Sequence, residues 1–174
     1  MTTPTAADLA WLDQDDAFVA DQIRRNGVCL QLVGMETCTH PGCTNAASDR
    51  PFGYTIGLFG IAHPEFVIVG MGRTGAAFVL REASRRVLDG ARFMPGDEVE
   101  VPRSDRRFIA EAVPNPGDIA FGANWHYQRP KEASVPLLQL TYADQRGRFP
   151  WDASYAGPKR RQPRPGEWDA YDPD

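Results

Sequence analysis

Residues 51–90 read PFGYTIGLFGIAHPEFVIVGMGRTGAAFVLREASRRVLDG and decide the fold. The first part alternates: Phe52, Tyr54, Ile56 and Leu58 point one way and Gly53, Thr55 and Gly57 the other, which is the period of a strand. After a turn at GIAHPE, Phe66 to Met71 is a nearly unbroken apolar run, the pattern of a strand buried on both faces. Then the period changes. Ala76, Val79, Leu80, Ala83 and Val87 form one apolar stripe, opposed by Arg81, Glu82, Arg85, Arg86 and Asp89. This spacing predicts a helix with Thr74 as its N-cap and Gly90 as its stop.

Two features of this stretch bear on chemistry. The strand face made of Gly53, Thr55 and Gly57 is nearly bare, so either a ligand approaches it closely or a helix packs tightly over it. Gly70, Gly72 and Gly75 form a G-x-G-x-x-G between a buried strand and a helix, the context of a dinucleotide fingerprint. A dinucleotide fold would need a second parallel strand directly after the helix. Pro95 and Gly96 break the chain there, which leaves a simpler expectation: an anion held at the helix start by backbone N–H groups, Arg73 and Thr74.

Working toward the N-terminus, Phe18, Val19, Gln22 and Ile23 share a helical stripe that Gly27 ends, predicting a helix over 15–26 behind an extension of residues 1–14. VCLQLVG, residues 28–34, reads as a strand. The loop that follows carries Cys38, His40 and Cys43, a set of good zinc ligands around a Pro-Gly turn. Structural zinc is one reading of it, with Cys29, His63 or Asp49 as fourth ligand, and a plain surface loop is the other.

Toward the C-terminus, MPGDEVEVP and RRFIAEAVP predict a hairpin, PGDIAFGANWHYQ a short helix, and Val135 to Tyr142 a further strand. From residue 157 the chain is proline-rich and charged and reads as an extended or disordered tail. The expected architecture is α+β: a mixed, mainly antiparallel sheet of about six strands, curled toward a partial barrel, with two main helices in one domain over 15–156.

Composition excludes several classes. The 174 residues carry a net charge of -4, so no nucleic-acid partner is expected. No apolar run nears the roughly 20 residues of a membrane span, and the N-terminal residues carry no export signal, which predicts a cytoplasmic protein without a membrane partner. Three cysteines make a disulfide framework implausible. No serine sits in a nucleophile elbow, and His40, His63 and His126 are the only histidines, so a hydrolase triad has no support. Trp125, His126, Tyr127, Tyr142, Phe149, Trp151, Asp152 and Tyr155 form an aromatic and polar set suited to a pocket, a protein interface or the sealing of a sheet end.

Several segments are diagnostic in their order: Tyr54-Thr55-Ile56-Gly57-Leu58, then His63-Pro64-Glu65, then Gln139-Leu140 through Phe149-Pro150-Trp151-Asp152, with Gln162-Pro163 beyond. In these the chain resembles the bacterial domain of unknown function 4262 family over most of residues 15–163. The resemblance implies one compact domain without an established activity. It points to Tyr54, Thr55, Gly57, His63, Glu65, Trp151 and Asp152 as the positions of interest. The chain departs from the family in its long Cys38 to Cys43 loop and in having Val28 where an aromatic is usual. The strand, turn, strand and helix order is also similar to that of split-barrel flavin proteins, an analogy of fold only. The leading expectation is a small-molecule or cofactor site, flavin- or nucleotide-like, over Gly53, Thr55 and Gly57 and near Arg73 and Thr74. The alternative is a non-enzymatic protein-interaction domain, immunity-like or regulatory, with an aromatic surface around Trp125, Tyr127 and Trp151.

Overall fold

A computed structural model describes residues 5–35, 50–157 and 161–170. Helix α1 (Ala6–Asn26) leads into strand β1 (Cys29–Val33). Strands β2 (Phe52–Ile56) and β3 (Glu65–Val69) flank a short 3₁₀ turn, and helix α2 (Arg73–Leu88) follows. Strand β4 (Phe108–Ala112), helix α3 (Phe121–His126) and strand β5 (Leu137–Tyr142) complete the elements. The five strands form one open sheet in the order β1-β2-β3-β5-β4. All neighbours are antiparallel except β3 and β5, where Glu65 lies beside Leu137 and Val67 beside Gln139.

The α+β class stands, but among the described residues the sheet is not closed and has five strands, not six. Residues 97–101 stay next to β4 through Val99 N to Phe108 O and Ala110 N to Asp97 O, both 2.9 Å, yet make only one bridge, Glu98 with Ile109. Gly96 at φ 96° turns the chain away before a ladder can lengthen, and Pro102 ends the run with no N–H to give.

Helices cover both faces, which is why every residue of β2, β3 and β5 is buried. On one face α2 sets Ala76, Val79, Leu80, Ala83 and Val87 against Phe66, Ile68, Leu138 and Leu140. Full burial of a side chain such as Phe66 stabilises by about 1.5–3 kcal/mol. On the other face Val19 of α1, Ala123 of α3 and Trp168 pack on Phe52, Tyr54, Val67 and Leu137.

Four expectations change in detail. α1 begins at Ala6, so residues 6–14 belong to a helix and are no separate extension. Phe18 leaves the expected stripe and is 57% exposed, while Val19 takes the core position at 3%. The N-cap of α2 is Gly72, with no side-chain cap, and Thr74 lies exposed in the first turn. Residues 161–170 are packed onto the sheet: Gln162, Pro163 and Trp168 are buried, and the Trp168 ring meets Phe52 edge-on at 5.3 Å.

Candidate functional site

Four of the residues singled out from the sequence meet at the junction of β2 and β3. Glu65 is fully buried, and its carboxylate accepts from the Thr55 hydroxyl at 2.6 Å, the Gly57 amide at 2.8 Å and the Phe59 amide at 3.0 Å. Thr55 in turn accepts the Phe66 amide at 2.9 Å, so the pair takes over where the β2–β3 ladder stops. Burial pushes the Glu65 carboxyl above its usual range, against the pull of these donors. His63 is equally enclosed. The Phe93 amide can only donate, so Nε2 accepts it at 3.1 Å and Nδ1 donates to the Pro64 carbonyl at 2.7 Å. Both ring nitrogens are used, and burial holds the imidazole neutral, below its usual pKa of 6.5. His63 thus has no lone pair left for a metal.

This junction is a brace and not a cleft. A Cβ on Gly53 would lie 2.7 Å from the Leu32 side chain and 3.4 Å from that of Leu80, so β1 and α2 fill the bare face expected to hold a ligand. Gly57, at φ 140°, packs so closely on the Gly27 carbonyl that a Cβ would come within 2.6 Å. Tyr54 is buried too. Its hydroxyl accepts the Gly122 amide at 2.9 Å, and burial moves its pKa up to about 12.

The remaining candidates lie elsewhere. Arg73 and Thr74 stand at the exposed start of α2. Trp151 is 41% exposed, stacked flat on Phe149 at 4.7 Å with the Arg164 guanidinium over it. Asp152 caps the same turn by accepting the Phe149 amide at 2.7 Å. Tyr127 is half-buried edge-on against Phe59, and Trp125 is 47% exposed. Cys38, His40 and Cys43 lie outside the described residues. Cys29, once a candidate fourth zinc ligand, is buried in β1, where burial raises its thiol pKa.

A cavity of about 730 Å³ does open, at the C-terminal ends of the parallel strands β3 and β5, beside the start of α2. In open α/β sheets this end of the strands is the ordinary place for a ligand. The glycine motif forms one wall. Gly70 has φ 77°, and a Cβ there would lie 2.1 Å from the Arg161 carbonyl, so only glycine fits. Gly72 has an ordinary φ of -65° and open space around its Cβ position. No side chain caps the helix there, and the amides of its first turn have no carbonyl four residues back to bond.

The opposite wall comes from the end of β5, from residues 155–157 and from Arg161 and Gln162. Tyr142 sits under the Arg106 guanidinium at 5.3 Å, and burial, reinforced by Tyr155, raises its pKa to about 12. It is therefore a neutral donor at physiological pH. Arg106 donates to the Ala143 carbonyl at 3.1 Å and Arg161 to the Gly70 carbonyl at 2.9 Å, and neither forms a carboxylate pair among the described residues. Asp144 is the one acid in the lining among the described residues. It is spent on the turn below: burial would raise its pKa, but the Arg148, Ala156 and Arg146 amides hold it down at about 2. With Arg106, Arg146 and Arg161 against Asp144, the cavity is positive, with two tyrosines in its wall.

Sequence reasoning located the glycines and placed Tyr142 and Tyr155 in an aromatic set suited to a pocket, but it did not join the two, gave Gln162 no role and missed Arg106 and Arg161. A usable signal was Gln139 inside the apolar run LLQLTY, since a buried amide needs partners and Pro163 and Trp168 supply them.

Comparison with known proteins gives one match. Residues 22–156 fit the family model described as Domain of unknown function (DUF4262). No curated protein and no solved structure matches the chain.

Proposed function

The chain belongs to the DUF4262 family, and we propose that it binds a small anionic ligand with a planar group, of the nucleotide or flavin kind, in the cavity at the start of α2. The observation that carries this reading is the composition of that cavity: three arginines and two tyrosines facing a glycine-lined, uncapped helix start. Each part has a use. The helix amides and its dipole favour a phosphate or carboxylate, the guanidinium groups neutralise it, and a tyrosine face suits a planar ring. The volume falls in the range of about 300–1,000 Å³ usual for such sites. These groups recognise an anion and a planar ring, so the reading is one of binding.

The test is mass spectrometry of small molecules released from freshly purified protein, followed by thermal shift with flavin mononucleotide, ATP, NAD and inorganic phosphate. A bound anion, or a shift abolished by Arg106→Gln, supports the reading. Protein that carries nothing and shifts with none of the four overturns it.

A second reading, a protein-interaction domain, has support in the exposed rings of Trp11, Trp125 and Trp151. Zinc at Cys38, His40 and Cys43 would be a structural addition to either reading, and metal analysis of tag-free protein tests it.

A further inference from the structure

A separate cavity, of about 650 Å³, follows the outer margin of β1 between α1 and α2. β1 is an edge strand: it pairs with β2 on one side, and its other margin makes no backbone hydrogen bond among the described residues. Such a margin is a template for another extended chain. The trough runs the length of the strand. Gly27, just before β1, lies against Leu88 at the end of α2, while Gly53, the partner of Leu32, lies near Leu80 further up the helix. Leu30 and Leu32 are half-buried at its floor, and Phe18 of α1 forms an apolar wall.

Two observations bear on the occupant. Ser84 of α2 lines the trough, is fully buried, and has a hydroxyl without a hydrogen-bond partner, which is costly unless something completes it. The rim is also positive in a chain of net charge -4. Arg81 and Arg85 lie along it, and Glu82, the one acid in its lining among the described residues, is already paired with Arg85 at 2.7 Å and approached by Arg103 at 3.8 Å.

We infer that this trough docks an extended acidic segment of a protein partner. The segment adds as a strand beside β1, with apolar side chains at alternate positions on the α1 side, toward Phe18, and carboxylates on the α2 side along the Arg81 rim. The inference is independent of the anion cavity.

The experiment uses the full chain and a fluorescein-labelled hexapeptide alternating Glu and Leu, read by anisotropy. Two further peptides carry backbone N-methyl groups, one at every Leu and the other at every Glu. Amides of an extended chain point alternately to opposite sides, so one methylated peptide faces β1 and the other faces away. The expected result is saturable binding that drops about ten-fold or more in only one of the two, as loss of backbone hydrogen bonds requires. Arg81→Glu, an exposed substitution, weakens binding about five-fold with an unchanged melting temperature, and the Lys-Leu counterpart peptide binds no better than that variant allows. Arg106→Gln leaves peptide binding intact. Absence of saturation, equal behaviour of the two methylated peptides, or indifference to Arg81→Glu overturns the inference. So does a concentration-dependent dimer by light scattering that excludes the peptide, since the occupant is then a second copy.

Discussion

Gln162 presents its side-chain amide to the backbone of Tyr142, accepting the Tyr142 N–H at 2.8 Å and donating to the Tyr142 carbonyl at 3.0 Å. A single side chain thus takes the place of a neighbouring strand beyond the point where β3 leaves β5. The same amide nitrogen reaches the Tyr155 hydroxyl at 3.0 Å, joining the two aromatic walls of the cavity.

Gln162→Ala leaves both Tyr142 backbone groups buried without partners. The expected loss is about 2–4 kcal/mol in urea unfolding, together with loss of ligand binding. An unchanged midpoint would show that this contact is dispensable.

The glycines at the start of α2 predict opposite outcomes. Gly70→Ala forces a side chain into a left-handed backbone against the Arg161 carbonyl and costs about 2 kcal/mol or more. Gly72→Asp meets open space and supplies the missing cap, so stability holds or rises by up to about 1 kcal/mol. The new carboxylate also occupies the helix start, so anion binding disappears. Calorimetry of the variant with the copurified ligand checks both halves.

Glu65→Ala strands the Thr55 hydroxyl and the Gly57 and Phe59 amides in the interior, and about 3 kcal/mol of stability is lost. Glu65→Gln keeps an acceptor for the two amides and a group able to donate to Thr55, and costs less than half as much. Comparable losses in both variants, measured by chemical denaturation, would contradict the brace.

His63 and Glu65 tilt the pH dependence in opposite senses. The folded His63 pKa lies below 6.5, so its contribution is complete above 6.5 and falls as acidification protonates the unfolded chain first. The folded Glu65 pKa lies above 4.5, so its contribution is complete below 4.5 and falls as rising pH ionises the unfolded chain first. Stability of wild type, His63→Gln and Glu65→Gln between these limits separates the slopes: the His variant loses the acid-side decline, and the Glu variant loses the opposing one.

What could be read from the sequence follows the range of the interactions. α2, β2 and β3 were legible because a one-sided stripe or a strict alternation reports local periodicity against a single packed face. α1 was legible only in its second half, since Leu9 and Trp11 are exposed and residues 6–14 carry no stripe to the core. The pairing of β3 with β5 joins segments some 70 residues apart, and no local pattern encodes it. For the same reason the glycine motif was found and its arginine wall was not. Of the seven residues marked by family likeness, Thr55, Gly57, His63 and Glu65 are neighbours that brace the fold, while Trp151 and Asp152 lie apart at the Phe149 turn.

The docking of residues 161–170 also orders events during synthesis. Every strand lies before Gln162 and Trp168 in the chain, so any sheet that forms ahead of them has the Tyr142 margin unpaired and the seat on Phe52 and Gln139 vacant. Through that interval the chain exposes an edge and an apolar face prone to wrong association. The cavity at the start of α2 therefore draws part of its wall from beyond the limit of the family match, and a chain interrupted there would hold its strands yet lack Arg161 and Gln162.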